Sequence, residues 1–158
     1  MIIENITSNI AELNDANLEG LTIDEVFFDD ETRLKRIQRV KAESGEELAL
    51  RLPTGFRELK DGDILQQTAE KIFVAKMKPT DVLVIAPRSI QEALVVAHTL
   101  GNRHLQAQFF DAESQYGAEV MVVRYDHTVE HHLEHAGAPY SRGEYVMPEA
   151  FRHAEHTH

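Results

Sequence analysis

The chain contains no cysteine. That excludes disulfides and thiolate metal sites, including any structural zinc held by cysteine, so a metal ion bound here has to be held through nitrogen and oxygen. There is also no apolar run of about 18 residues, the length that marks a membrane-crossing helix. The opening stretch MIIENITSNI lacks the basic region followed by an apolar core that defines a signal peptide. No membrane partner is expected, and the expected location is the cytoplasm. Positive charge is scarce: 16 Lys and Arg stand against 27 Asp and Glu, a net charge of -11. Nucleic-acid binding draws most of its affinity from Lys and Arg neutralising phosphates, so the balance speaks against nucleic acid and favours cations or basic protein surfaces. Signatures of catalysis are missing too. No G-x-S-x-G, H-E-x-x-H or phosphate loop occurs, so the chain is read as a non-enzyme and no catalytic residue is assigned.

What is present is histidine, and it is unevenly placed. All nine histidines (98, 104, 127, 131, 132, 135, 153, 156 and 158) come after residue 97, whereas the last lysine is Lys78. Beyond Lys78 the chain has five arginines against eleven acids, so its imidazoles face no competing ammonium groups. The composition therefore changes near residues 76 to 80, where Lys76-Met77-Lys78-Pro79-Thr80 reads as a linker.

Before that boundary the patterning is that of short strands. Glu25-Val26-Phe27-Phe28 is strand-like, Asp29-Asp30-Glu31-Thr32 supplies turn chemistry, and Leu48, Leu50 and Leu52 alternate on one face after a turn at Glu43-Ser44-Gly45. Lys60-Asp61-Gly62-Asp63 is a second tight turn, with Ile64-Leu65 and Ile72-Phe73-Val74-Ala75 after it. Residues 1–76 are expected to form a small all-β domain. It either recognises a partner protein or only supports the second domain.

Residues 77–148 read differently. Asp81 to Ala86 is an apolar run of strand length, and a helix from Ser89 to Leu100 comes next. Within that helix Ile90, Ala93, Leu94 and Ala97 form an apolar stripe suited to packing on a sheet. Val95 lies roughly 140° away at about 100° per residue; it is either an edge residue of the same domain or part of a second buried surface that meets a partner. Gly101 and Asn102 are the residues expected to close the helix in the left-handed conformation, which makes His104 the first residue of the strand bearing Leu105, Ala107 and Phe109. A third strand runs from Glu119 to Tyr125, Asp126 or Thr128 caps a second helix in which Val129, Leu133 and Ala136 face the sheet, Gly137 ends it, and Tyr140 to Met147 is a fourth strand. The order βαββαβ is that of a ferredoxin-like split unit. The expected class is thus α+β, an all-β domain and then a ferredoxin-like domain, with a histidine-bearing tail over 149–158.

The GNRH corner at Gly101-Asn102-Arg103-His104, the Asp126-His127 pair opening the second helix, the β-rich first part and the histidine-bearing tail together resemble the urease accessory protein UreE family of nickel metallochaperones. The likeness runs over essentially the whole chain, and GNRH in its context is its most specific part. It implies a homodimer joined through the second domains; whether two dimers pair into a tetramer with metal is left open. It also implies a Ni(II) ion held between two copies of His104, and delivery to urease apoprotein together with other accessory proteins, including a GTPase. By the same likeness His127 matches a secondary metal-binding histidine, while Tyr125 stands where another family histidine would be.

The residues support part of this without the family. One imidazole holds a metal weakly, but an isologous two-fold contact would turn His104 into a pair. Imidazole-rich, cysteine-free sites suit Ni(II), Cu(II) or Zn(II), with selection following geometry and supply more than raw affinity; nickel is singled out only by the resemblance. In an extended tail His156 and His158 point to one side, with His153 a turn away; these are either additional ligands or a polar end. His127, His131 and His135 recur at i, i+4 and i+8 beside His132, either as a two-histidine clamp or as an ordinary solvated face shared with Glu130 and Glu134. His98 is expected at the core edge. The competing function is a histidine-rich metal buffer, which would take several ions of similar affinity where a carrier takes one tightly.

Overall fold

Strand and helix positions are set by where apolar side chains alternate and where they recur every third or fourth residue. The computed structural model describes residues 1–152. Their elements in chain order are β1 (Ile2–Ile3), a short helix α1 (Asp15–Leu18), β2 (Thr22–Phe28), β3 (Ile37–Lys41), β4 (Glu47–Arg51), β5 (Ile64–Gln67), β6 (Lys71–Met77), β7 (Thr80–Ile85), α2 (Ile90–Asn102), β8 (Ala107–Phe110), β9 (Val120–Arg124), α3 (His127–Ala136) and β10 (Tyr140–Tyr145). The fold is mixed α+β, and the chain divides into two compact units.

Unit one takes in Met1–Pro79 and the later segment Val146–Ala150. It holds two three-stranded sheets, ordered β1-β4-β3 and β2-β6-β5. The alternation at Leu48, Leu50 and Leu52 is realised as expected: all three are buried, in a core shared with Phe28, Leu59 and Phe73. The reading of 76 to 80 as a linker is not. Strand β6 runs through Met77, which is buried in that core, and Lys78 and Pro79 alone separate it from β7.

A buried cation holds the late segment in place. Arg33 is 1 % exposed. Its guanidinium donates to the carbonyl oxygens of Leu59 (3.2 Å), Met147 (3.0 Å) and Pro148 (3.1 Å), and lies 3.2 Å from the Glu58 carboxylate. The same Glu58 oxygen accepts the Ala150 amide at 2.9 Å. Buried charge is tolerated where pairing and hydrogen bonds replace water, and here the replacement anchors Val146–Ala150 to unit one.

Unit two contains β7 to β10, α2 and α3. Its sheet runs β10-β7-β9-β8 with every neighbouring pair antiparallel. Leu83 and Ile85 of β7 and Met121 and Val123 of β9 point to one face, where Val96 and Leu100 of α2 and Val129 and Leu133 of α3 complete a single core. Both helices therefore cover the same side of the sheet. On the other side Tyr116 stacks between Phe110 and Tyr145, with ring centroids 5.2 and 4.7 Å apart.

Candidate metal centre

Helix α2 starts where its sequence says it should. The Ser89 side chain caps it by accepting the Glu92 amide, and Arg88 pairs with Glu92 at 2.7 Å. Its rotation about its own axis differs from the expected one. Val96 and Leu100 are the residues it buries, with Ala93 half-buried beside them, whereas Ile90, Leu94 and Val95 are 81 %, 65 % and 57 % exposed. Ala97 is exposed too. The stripe Ile90-Leu94-Ala97 lies about 100° around the helix from the buried one, and Gly101 continues it. A pattern of period 3.6 identifies an apolar stripe but not what covers it. His98 also points outward, 3.4 Å from the Asn102 amide nitrogen, and not to the core edge.

The corner closes differently as well. Gly101 and Asn102 stay helical, and His104 is the residue that goes left-handed, at φ 58, the one non-glycine with positive φ among the described residues. Its amide donates to the Gly101 carbonyl (2.9 Å), and the Leu105 amide reaches the Leu100 carbonyl (3.4 Å). These two bonds and the shared burial of Leu100 and Leu105 in one core make a Schellman closure with His104 at the left-handed position. Strand β8 begins only at Ala107, so His104 belongs to the cap. Its side chain is exposed.

Helix α3 begins at His127. The Asp126 carboxylate caps it, accepting the amides of Thr128 (2.8 Å) and Val129 (3.3 Å). Hydrogen bonds from the Thr128 hydroxyl and then its amide hold the Asp126 carboxyl below its ordinary pKa. Val129 and Leu133 are buried as expected, but Ala136 is exposed and Ala138, past the cap at Gly137, takes the buried place. On the opposite face of the helix lie His127, His131 and His135, and the rings of His131 and His135 stand 4.9 Å apart, edge to face. A shallow groove of about 610 Å³ is bordered by Arg103, His127, His131, His132, Glu134 and His135. It brings the residue preceding His104 to the histidine face of α3. Tyr125 packs against the core of unit two under the Arg142 guanidinium, 3.5 Å from its ring centre, and its hydroxyl donates to Glu130 at 3.4 Å.

Among the described residues, no set of three or more histidine, aspartate or glutamate side chains is grouped closely enough to hold an ion. His104 and His127 are both exposed. His153, His156 and His158 lie outside the described residues. No described helix is long and apolar enough to cross a membrane.

Residues 3–78 match the family model for the N-terminal domain of the UreE urease accessory protein. Over its whole length the chain is 55 % identical to the urease accessory protein UreE of Arthrobacter sp. (strain FB24) and 52 % identical to that of Corynebacterium urealyticum, in each case covering all of the relative as well. The chain belongs to the UreE family of urease accessory proteins. UreE is an accessory protein of urease maturation and not an enzyme, which agrees with the lack of catalytic signatures in the sequence. As a UreE-family chain it carries both of its units into the match, since the relatives align with unit two as fully as with unit one.

Proposed function

We propose that this protein is a nickel metallochaperone that works as a homodimer and carries one Ni(II) ion between the His104 side chains of two subunits. The observation that carries the reading is His104 itself: an exposed imidazole held in a left-handed cap at the end of a helix whose outer stripe is apolar. A non-glycine residue in that conformation costs on the order of 1–2 kcal/mol, and such outliers are retained where function requires them. Burying Ile90 and Leu94 against a second copy would recover roughly 1.5–3 kcal/mol per side chain. The stripe leads through Gly101 to the cap, so a two-fold contact along it brings the second His104 to the first. Two imidazoles leave coordination positions open, which suits a carrier, because an incompletely ligated ion exchanges readily.

In this reading unit two is a ferredoxin-like metal-binding and dimerisation domain, unit one docks on urease apoprotein or its other accessory proteins, the GTPase among them, and His127, His153, His156 and His158 supply further donors. Zn(II) and Cu(II) compete for the same nitrogens. Calorimetric titration of the wild type and His104→Ala with Ni(II) tests the proposal. Loss of the tightest step with the dimer intact supports it; an unchanged first step sinks it.

A further inference from the structure

We propose that His131 and His135 form a second metal site, a two-imidazole clamp for a divalent transition ion on the outer face of α3, which needs neither His104 nor a second subunit. Side chains at i and i+4 of a helix lie one above the other, and the pair is already drawn together, with ring centroids 4.9 Å apart. When two imidazoles bind one ion at about 2.1 Å per nitrogen, each ring centre sits about 3.2 Å from the metal. Ligand angles of roughly 90–109° then separate the centres by about 4.5–5.2 Å. The observed spacing falls inside that window.

The surroundings favour a cation. The inward face of α3 is filled by Val129 and Leu133, so neither imidazole is needed for packing, and no lysine occurs beyond Lys78 to compete. Glu130 and Glu134 flank the pair, but each is engaged elsewhere: Glu134 accepts the Tyr140 hydroxyl at 2.7 Å and Glu130 that of Tyr125 at 3.4 Å. They contribute negative potential beside the imidazoles without filling the clamp. The pair has no third protein ligand among the described residues, so water completes the shell and the ion leaves easily. Arg103 borders the same groove. An ion held here is therefore stored beside the corner that carries His104, where it raises the supply to the tight site.

The test uses the full-length chain with His104, His153, His156 and His158 all changed to alanine, titrated with Ni(II) alone. This background is expected to bind one ion per chain, and Ni(II) is expected to broaden the ring signals of His131 and His135 first. Adding His131→Gln or His135→Gln is expected to weaken that binding at least about tenfold, with the double substitution no worse than either single one, because a clamp with one jaw is lost. Helix content should not change, since both positions are exposed. Equal binding with and without the two substitutions, or broadening confined to His98, His127 and His132, overturns the proposal. Neither result bears on His104, whose tight step is read separately in the otherwise wild-type chain.

Discussion

His104 and Gly137 occupy the same position in the same closing motif, one at the end of α2 and the other at the end of α3. Each amide bonds back to a carbonyl three residues earlier, His104 to Gly101 at 2.9 Å and Gly137 to Glu134 at 3.1 Å. In each case the next amide reaches five residues back, Leu105 to Leu100 at 3.4 Å and Ala138 to Leu133 at 3.1 Å. The left-handed angles are φ 58 and φ 67. At Gly137 the residue is the one such a cap prefers; at His104 a side chain is kept where glycine would be easier.

Under the proposed function, stability and nickel binding are opposed at His104. Replacing His104 by glycine relieves roughly 1–2 kcal/mol of left-handed strain and adds about 0.5–1 kcal/mol of unfolded-state entropy. The expected net is a gain of up to about 1.5 kcal/mol in urea unfolding, accompanied by loss of the tight nickel step. A glycine variant clearly less stable than wild type would show that the side chain itself supports the cap.

Arg33 should be among the most sensitive positions in unit one. Removing one partner of a buried pair typically costs about 3–5 kcal/mol, and Arg33→Ala also removes the guanidinium hydrogen bonds to the carbonyls of Leu59, Met147 and Pro148. Arg33→Lys should rescue little, because three carbonyls and a carboxylate are met by the guanidinium fork. Denaturant midpoints measure both; a loss below about 1 kcal/mol for the alanine variant would contradict the anchoring role.

Asp24 ties part of the stability to pH. Burial pushes its carboxyl up, but hydrogen bonds from the Ser44 hydroxyl and amide and the Lys71 ammonium at 3.2 Å outweigh it and leave the pKa below its ordinary value. With the folded value below the unfolded one of about 3.9, the contribution is complete above about pH 4–5. It is lost as pH falls through the lower folded value, because the unfolded chain binds the proton first. Asp24→Asn should therefore flatten the fall of the thermal midpoint in acid, and parallel curves for the two proteins would refute the assignment.

Leu94→Asp tests the outer stripe of α2. A two-fold contact buries this residue twice, so losing both at roughly 1.5 kcal/mol or more each weakens the dimer at least about a hundredfold. Sedimentation should find single subunits with unchanged helix content. A variant that keeps the wild-type mass would place the subunit contact elsewhere.

Much of the fold was legible because local signals agreed. Leu48, Leu50 and Leu52 alternate and are buried together, and Asp126 and Gly137 bound α3 as their chemistry requires. Helix α2 was harder because it has two apolar stripes a quarter-turn apart, and periodicity does not say which one meets the chain's own sheet. The Gly101-Asn102 pair pointed to the corner but two to three residues too early, since the Schellman bonds place the left-handed residue at His104. Arg33 gave no signal at all: an isolated arginine reads as surface until the carbonyls of Met147 and Pro148, over a hundred residues on, are seen to surround it. The His131–His135 pair was visible as an i, i+4 spacing; the 4.9 Å between its ring centres was not.

The most direct measurement is the native mass of the purified protein during nickel titration. A sharing of one ion by two His104 side chains predicts that the first nickel appears on a species of two chains, with a single ion, and that this peak is absent for His104→Ala at the nickel concentration that fills it in the wild type. A first ion carried by one chain alone would contradict it.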